Sequence, residues 1–275
     1  MGGGCDVGDG LCAAEARMST LADSSIRRGH SYWWGSFFSM LRFDLMSLRR
    51  ELVTVALLQL LMGAGMAIIY GFYFDEISPT VATFIVTGTP TLAIVPVGMA
   101  LVPGVVMQHK LDETYDFLWS LPVPRLTIAA SNFVLFTGLA LPGVVLSLVV
   151  AVWRYNIDLA VSWSVIPAVL LAALMANSVG FSFAHAISEP RLTNLIVNMI
   201  IFLVLLFSPV AFPISNFPDW FASIHRVLPF FHMANIIRGG LTQGIVEDIV
   251  VSYVVVVTWM VGSWAVAAWV VGRRR

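Results

Sequence analysis

Six long apolar stretches, separated by short polar segments, dominate the hydrophobic pattern of this chain. They cover about residues 52–73, 81–107, 126–153, 163–187, 195–212 and 249–271. Each is long enough to cross the ~30 Å hydrocarbon core of a bilayer as a helix of about 20 residues. The runs are continuous rather than alternating, which favours helices over the strands of a membrane barrel. The pattern therefore predicts an all-α integral membrane protein with six transmembrane helices.

The composition agrees with a membrane protein. Of the 275 residues, 59% are hydrophobic and only 11% are charged, whereas soluble domains carry roughly 25% charged residues. The net charge of −1 gives no support for nucleic-acid binding. The two cysteines, Cys5 and Cys12, lie in a Gly-rich N-terminus. Their spacing fits no metal-ligand pattern, so no metal site is predicted.

The segment before the first span has two parts. Residues 1–30 lack periodicity and are expected to be a disordered cytoplasmic tail, in which Met18 offers an alternative start. Residues 31–50 place aromatic and leucine side chains at offsets of 3 and 4, with Asp44 and the arginines mostly elsewhere. This pattern predicts an interfacial amphipathic helix, either an elbow leading into the bundle or a simple anchor. Residues 51–275 then form the six-span domain.

The basic residues predict the orientation of the spans. An even number of spans places both termini on one side, and that side would carry 12 of the 15 Lys and Arg residues. Cytoplasmic loops are the ones that carry such an excess of positive charge. We therefore expect a multi-pass protein of the cytoplasmic membrane with both termini in the cytoplasm.

One short charged segment separates the second and third apolar stretches, and we call residues 108–125 the polar island. From Lys110 onward its spacing predicts a short helix ending before Pro122. The apolar edge of this helix would hold Leu111, Tyr115, Leu118 and Trp119, and its other edge Asp112, Glu113 and Asp116. Such a helix could dock on a soluble partner. The alternative is a surface loop with an apolar edge.

Two segments of the chain resemble a known family. The first reads Glu113, Thr114, Asp116 and Leu118, followed by Leu-Pro-Val-Pro-Arg at 121–125. The second follows the fifth stretch and contains Phe212, Pro213, Pro218, Trp220, Pro229 and Arg238. Over roughly residues 30–275 the chain resembles the transmembrane permease subunits of ATP-binding-cassette (ABC) exporters, type-2 permease family.

The resemblance implies a function and a set of partners. The polar island would be a cytoplasmic coupling helix, and the second segment an outer re-entrant helical hairpin. Two copies of a separate ABC ATPase would bind ATP and Mg, because this chain has no Gly-rich phosphate loop and is not expected to be an enzyme itself. A second permease, identical or related, would complete the complex within the membrane lipid. The predicted ATPase contacts are His109, Lys110, Asp112, Glu113, Tyr115, Asp116, Leu118 and Trp119.

The substrate path is predicted from polar or helix-breaking residues within the spans, which are often functional. The candidates are Gln59, Pro96, Asn177, Asn194 and Asn198. The alternative interpretation is that the amides join helices and that the proline only shapes packing. The apolar residues of the spans suggest an amphipathic or lipid-like cargo, such as a drug, an antibiotic or a lipid-linked molecule.

Two other classes of protein remain as alternatives. The first is a secondary transporter driven by an ion gradient, against which the lack of deeply placed charged residues and of a detectable inverted repeat both argue. The second is a membrane anchor or sensor subunit that transports nothing. Co-purification of an ATPase would separate these alternatives from an ABC permease.

Overall fold

The computed structural model describes residues 30–72, 78–114, 120–121, 123–187, 189–246 and 248–273, and these residues form helices and connecting turns without a strand. Six of the helices are long and apolar enough to cross a membrane. The predicted all-α, six-span architecture is therefore confirmed. The proposed tail, with Cys5 and Cys12, lies outside the described residues apart from His30.

The helices follow one another in chain order with short connections. They are α1 (His30–Ser47), α2 (Leu52–Tyr70), α3 (Pro79–Leu111), α4 (Arg125–Tyr155), α5 (Val165–Ala186), α6 (Pro190–Phe207), α7 (Asp219–His225), α8 (Pro229–Leu241) and α9 (Ile249–Arg273). Helices α2 to α6 and α9 are the six candidate spans. Helices α7 and α8 are too short to cross a bilayer, because a spanning helix needs about 20 residues.

The bundle has two ends. The island end holds the polar island, and the opposite end holds residues 208–246, which include α7 and α8 and which we call the hairpin segment. The largest buried core joins α3, α4, α5, α6, α8 and α9. The hairpin segment is thus part of the core, and not an appended loop.

The fifth span is displaced from its predicted position. Helix α6 begins at Pro190, where proline suits the first helical turn, and ends at Phe207 instead of reaching Phe212. Ser208 has extended backbone (ψ 137°), as expected for a residue before proline. The apolar run that continues through Val210 and Ala211 belongs to the buried start of the hairpin segment.

Helix α3 is the most enclosed span. It begins with Ser78, whose side chain accepts a hydrogen bond from the Val81 N–H at 3.4 Å, followed by Pro79. After Pro96 the backbone widens into a π-helical turn from Val97 to Leu101. Proline removes one helical hydrogen bond, and such a turn is one way to accommodate the loss. The irregularity of α3 therefore lies directly after Pro96.

The crossing of α3 and α5 depends on two glycines. A Cβ atom built on Gly98 would lie 2.5 Å from the carbonyl carbon of Ala176, and one on Gly180 would overlap the Gly98 carbonyl oxygen. Only glycine permits such close contact between two backbones. Helix α3 also carries Gly104, where a Cβ would meet nothing within 4 Å.

Helix α1 packs along α4. The side that meets α4 includes Met40, which is buried, and Asp44, with only 2% of its surface exposed. Trp34 and Phe38 of the predicted apolar face are exposed on the bundle and so could meet lipid. The interfacial position of this helix stays a prediction.

Candidate functional site

Arg238 anchors the hairpin segment to α3. It lies on α8, is only 1% exposed, and donates hydrogen bonds from three nitrogens. Nε reaches Thr87 Oγ1 at 3.0 Å, and the terminal nitrogens reach Asn235 Oδ1 at 2.8 Å and the Val210 carbonyl at 2.7 Å. The guanidinium also lies 4.1 Å from the ring centre of Phe84. Sequence reasoning named Arg238 but did not anticipate this role.

The prolines of the hairpin segment stand where its short helices begin. Pro213 precedes a short 3-10 turn at Ile214–Asn216, Pro218 precedes α7, and Pro229 is the first residue of α8. At all three positions, just before a helix or at its first residue, the missing N–H of proline removes no helical hydrogen bond. Whether these two helices enter the membrane remains a prediction.

The aromatic residues of the hairpin segment occupy different positions. Phe212 packs edge-to-face on Tyr70 at the end of α2, with ring centres 5.3 Å apart. Trp220 is 68% exposed on α7. An exposed Trp at a helix surface suits the boundary between lipid and water.

An apolar cavity of about 540 Å³ lies between α3, α5, α6, α9 and the hairpin segment. Its wall is almost entirely hydrocarbon and aromatic. It includes Phe183, Leu203, Phe207, Phe221, Phe230 and Trp259. The indole N–H of Trp259 donates to the Val227 carbonyl at 2.9 Å, which fixes the hairpin segment against α9.

His225 supplies a polar group to the wall of the apolar cavity. Its Nδ1 is buried and has no hydrogen-bond partner among the described residues. Burial lowers the pKa of His225, which favours the neutral ring. A cavity of this size and composition can accept the apolar part of a small molecule. No local pattern marked His225, because α5, α6, α9 and the hairpin segment meet only in the folded chain.

The polar island begins with an abrupt turn. Helix α3 ends at Leu111, and Glu113 has a left-handed backbone with φ 54°. A left-handed residue just after a helix is a common way to end it. Hence the prediction of one helix running from Lys110 is wrong at its start, because Lys110 and Leu111 form the last turn of α3.

The first part of the polar island contains both tethered and exposed side chains. Lys110 Nζ, on a predicted contact residue, donates to the Ala184 carbonyl and so joins the end of α3 to the end of α5. Leu111 is 63% exposed, and both Asp112 and Glu113 are exposed. His109 is half-buried. The other predicted contacts, Tyr115, Asp116, Leu118 and Trp119, lie outside the described residues.

Two of the predicted path residues join helices. Gln59 on α2 is buried, and its Nε2 donates a hydrogen bond to the Leu139 carbonyl of α4. Its amide also lies against Gly143 of α4, where a Cβ atom would collide with it. Asn177 on α5 donates to Thr137 Oγ1 of α4 at 3.1 Å. These bonds favour the interpretation that the buried amides join helices. Pro96 is also buried, at the π-helical turn.

The other two path residues are exposed. Asn194 and Asn198 lie one turn apart on the same face of α6. Leu195, Met199 and Phe202 are exposed on this helix beside them. An amide on the surface of a spanning helix is costly against lipid and is expected to face protein or water.

A family model described as the ABC-2 type transporter matches residues 35–242. The chain belongs to this family. The match runs from α1 through α8, so it includes the polar island and Arg238 and ends before α9. No curated protein matches the chain significantly. This permease is therefore the multi-pass membrane domain of an ABC transporter, and its family implies a partner ATPase.

Asp44 is a polar residue of this permease that the sequence did not mark as important. Its Oδ2 accepts a hydrogen bond from Ser131 Oγ at 2.8 Å, while Oδ1 is buried without a partner among the described residues. Burial raises the pKa of Asp44 to about 6, and the bond from Ser131 opposes that rise. Asp44 is four residues from both Met40 and Leu48, and this helical spacing could have indicated that the three residues share one buried face.

Proposed function

We propose that this permease exports an amphipathic or lipid-like compound across the cytoplasmic membrane, driven by ATP that a separate subunit hydrolyses. Family membership supports the use of an ATPase. The observation that carries the class of cargo is the apolar cavity. Its wall offers extensive hydrocarbon contact and a single imidazole, so it suits a molecule that is largely apolar with few polar groups.

The polar island is the proposed contact with the ATPase. Leu111 offers an apolar side chain beside the carboxylates of Asp112 and Glu113. Helix α3 connects this surface to the centre of the bundle as one continuous rod with a π-helical turn. A displacement of the polar island by the ATPase would therefore move α3 against α5 and the hairpin segment.

A second permease is the proposed neighbour of α6. The exposed face with Asn194 and Asn198 is polar within an otherwise apolar span. Another copy of the chain, or a related one, would shield these amides from lipid and could enclose a polar strip along the transport path. The full complex would then contain two permeases and two ATPases.

Co-purification tests the class of protein. The full chain, tagged and extracted from its native membrane, should bring down a protein with ABC ATPase sequence motifs, and the mass of the complex should fit two copies of each subunit. A chain that purifies alone, with transport driven by an ion gradient, would contradict the proposal.

Stimulation of ATPase activity tests the class of cargo. In the reconstituted complex, amphipathic compounds should stimulate hydrolysis, and Leu203→Ser should raise the concentration needed by several-fold, because it removes apolar surface from the cavity wall. Leu141→Ser is the matched control, since Leu141 is an exposed leucine of α4 outside that wall. Stimulation by a small inorganic ion alone would rule out an amphipathic cargo.

A further inference from the structure

A second cavity, of about 510 Å³, opens at the hairpin end of the bundle. It lies between the first turns of α3 and α9 and the hairpin segment, and none of its lining residues belongs to the apolar cavity. Unlike that cavity, its wall combines polar with apolar groups. The polar and charged residues are Ser215, Arg226, His232, Asn235, Arg238, Asp248 and Ser252.

Among the residues that the structure describes, the charges of this second cavity do not balance. Its wall holds the two cations Arg226 and Arg238 and one carboxylate, Asp248. Arg238 is buried, and all its bonds go to neutral acceptors. Among the described residues no carboxylate pairs with it. A buried cation without a counter-charge is expensive, and an anion in the cavity would reduce that cost.

The two arginines of this cavity are held differently. A guanidinium has five N–H groups, and the three hydrogen bonds of Arg238 leave two of them unused. Arg226 is exposed at the same cavity. Its carbonyl accepts a hydrogen bond from His232 Nε2 at 2.8 Å, and Ser252 Oγ of α9 lies 3.0 Å from His232 Nδ1. These bonds fix the backbone of Arg226 to α8 and α9.

We propose that this second cavity binds the phosphate group of an amphiphile. Arginine side chains bind phosphate oxygens through pairs of N–H groups, so Arg226 would contact the headgroup directly and the buried charge of Arg238 would add its field. Phe84, Ile245 and Val251 in the same wall give the apolar part of the ligand a surface. This site is independent of the proposed export cycle, because neither the ATPase contact nor the apolar cavity requires it.

Native mass spectrometry of the full chain in neutral detergent tests the proposal. The probes are dioctanoyl phosphatidylglycerol, dioctanoylglycerol with the same chains but no phosphate, and inorganic phosphate. The wild type should retain the phospholipid and not the uncharged lipid. Arg226→Gln should weaken retention about tenfold, the effect of losing one charge-assisted contact. Arg154→Gln is the control, since Arg154 is an exposed arginine at the same end but outside the cavity.

The stability of the variant and competition by inorganic phosphate identify the site and its ligand. Since Arg238 variants could fail to fold, Arg226→Gln is the primary variant, and its melting temperature should equal that of the wild type. Competition by millimolar inorganic phosphate would identify the phosphate group alone as the ligand, whereas failure to compete would identify the whole amphiphile; both support a phosphate site. Equal retention of the two lipids, or an equal effect of Arg226→Gln and Arg154→Gln, would overturn the proposal.

Discussion

Two buried charges, Asp44 and Arg238, fix peripheral helices to the spans. Asp44 joins α1 to α4 near the island end through Ser131, and Arg238 joins α8 to α3 at the hairpin end through Thr87. Among the described residues, both charged groups are hydrogen-bonded only to neutral groups, so burying them costs free energy. Their hydrogen bonds in turn fix the position of the helix that carries them. Protonation or substitution at these two positions should therefore change the stability of the folded chain more than at exposed positions.

The raised pKa of Asp44 predicts a specific dependence of stability on pH. Its folded pKa of about 6 exceeds the ordinary value of 3.8, so the folded chain binds this proton more tightly than the unfolded chain. The wild type should therefore lose stability as the pH rises from about 4 to 6. Asp44→Asn should remove this loss, because its amide carries no charge at any of these pH values.

Melting temperatures of the detergent-solubilised chain between pH 4 and 8 measure this effect. Glu51→Gln serves as the control, because Glu51 is exposed next to α1. This substitution should leave the change of melting temperature with pH as it is in the wild type. If the melting temperature of Asp44→Asn fell with rising pH as steeply as that of the wild type, Asp44 would not be the group that causes the pH dependence.

At the scale of elements, the crossing of α3 and α5 is the contact most sensitive to side-chain size. Gly98→Ala should lower the melting temperature by several degrees, because the added methyl group meets the Ala176 backbone and overpacking typically costs about 1–3 kcal/mol. Gly104→Ala, on the same helix and in open space, should have little effect or stabilise slightly. Thermal unfolding of the two variants in the same detergent checks this prediction, and equal effects would contradict it.

The sequence predicted the elements better than it predicted their ends. Continuous apolar runs located all six spans. The prolines of the hairpin segment marked a region of short pieces, and two of them stand at the starts of α7 and α8. The end of α6 was missed because Val210 and Ala211 are as apolar as a span but pack at the start of the hairpin segment. The turn at Glu113 was missed because a left-handed conformation is unusual for glutamate and has no local signal.

The candidate site was predictable only in part. Arg238 and the exposed carboxylates of the polar island stood out as charges in an apolar chain. His225 and the cavity beside it could not be found in this way, because helices distant in sequence enclose the cavity. The long-range bond of Lys110 to Ala184 could not be found either, because it depends on how α3 packs against α5.

For the whole molecule, the two ends of the bundle have different proposed tasks. The island end presents Asp112 and Glu113 beside an exposed leucine, and the hairpin end carries the second cavity. The apolar cavity lies between the spans and the hairpin segment. Helix α3 extends between these ends and packs on α4, α5 and α8. A force applied to the polar island would thus reach the hairpin segment through one element. The central claim of the proposed mechanism is that the ATPase docks on the polar island and applies this force there.

Substitution of the two carboxylates tests that claim most directly. In membranes that contain the partner ATPase, Asp112→Ala with Glu113→Ala should reduce both ATPase co-purification and ATP-driven transport several-fold, because the docking surface loses its charges. Glu51→Ala, a change of one exposed carboxylate outside the polar island, should leave both unchanged. Full ATPase binding and full transport by the doubly substituted chain would contradict the account.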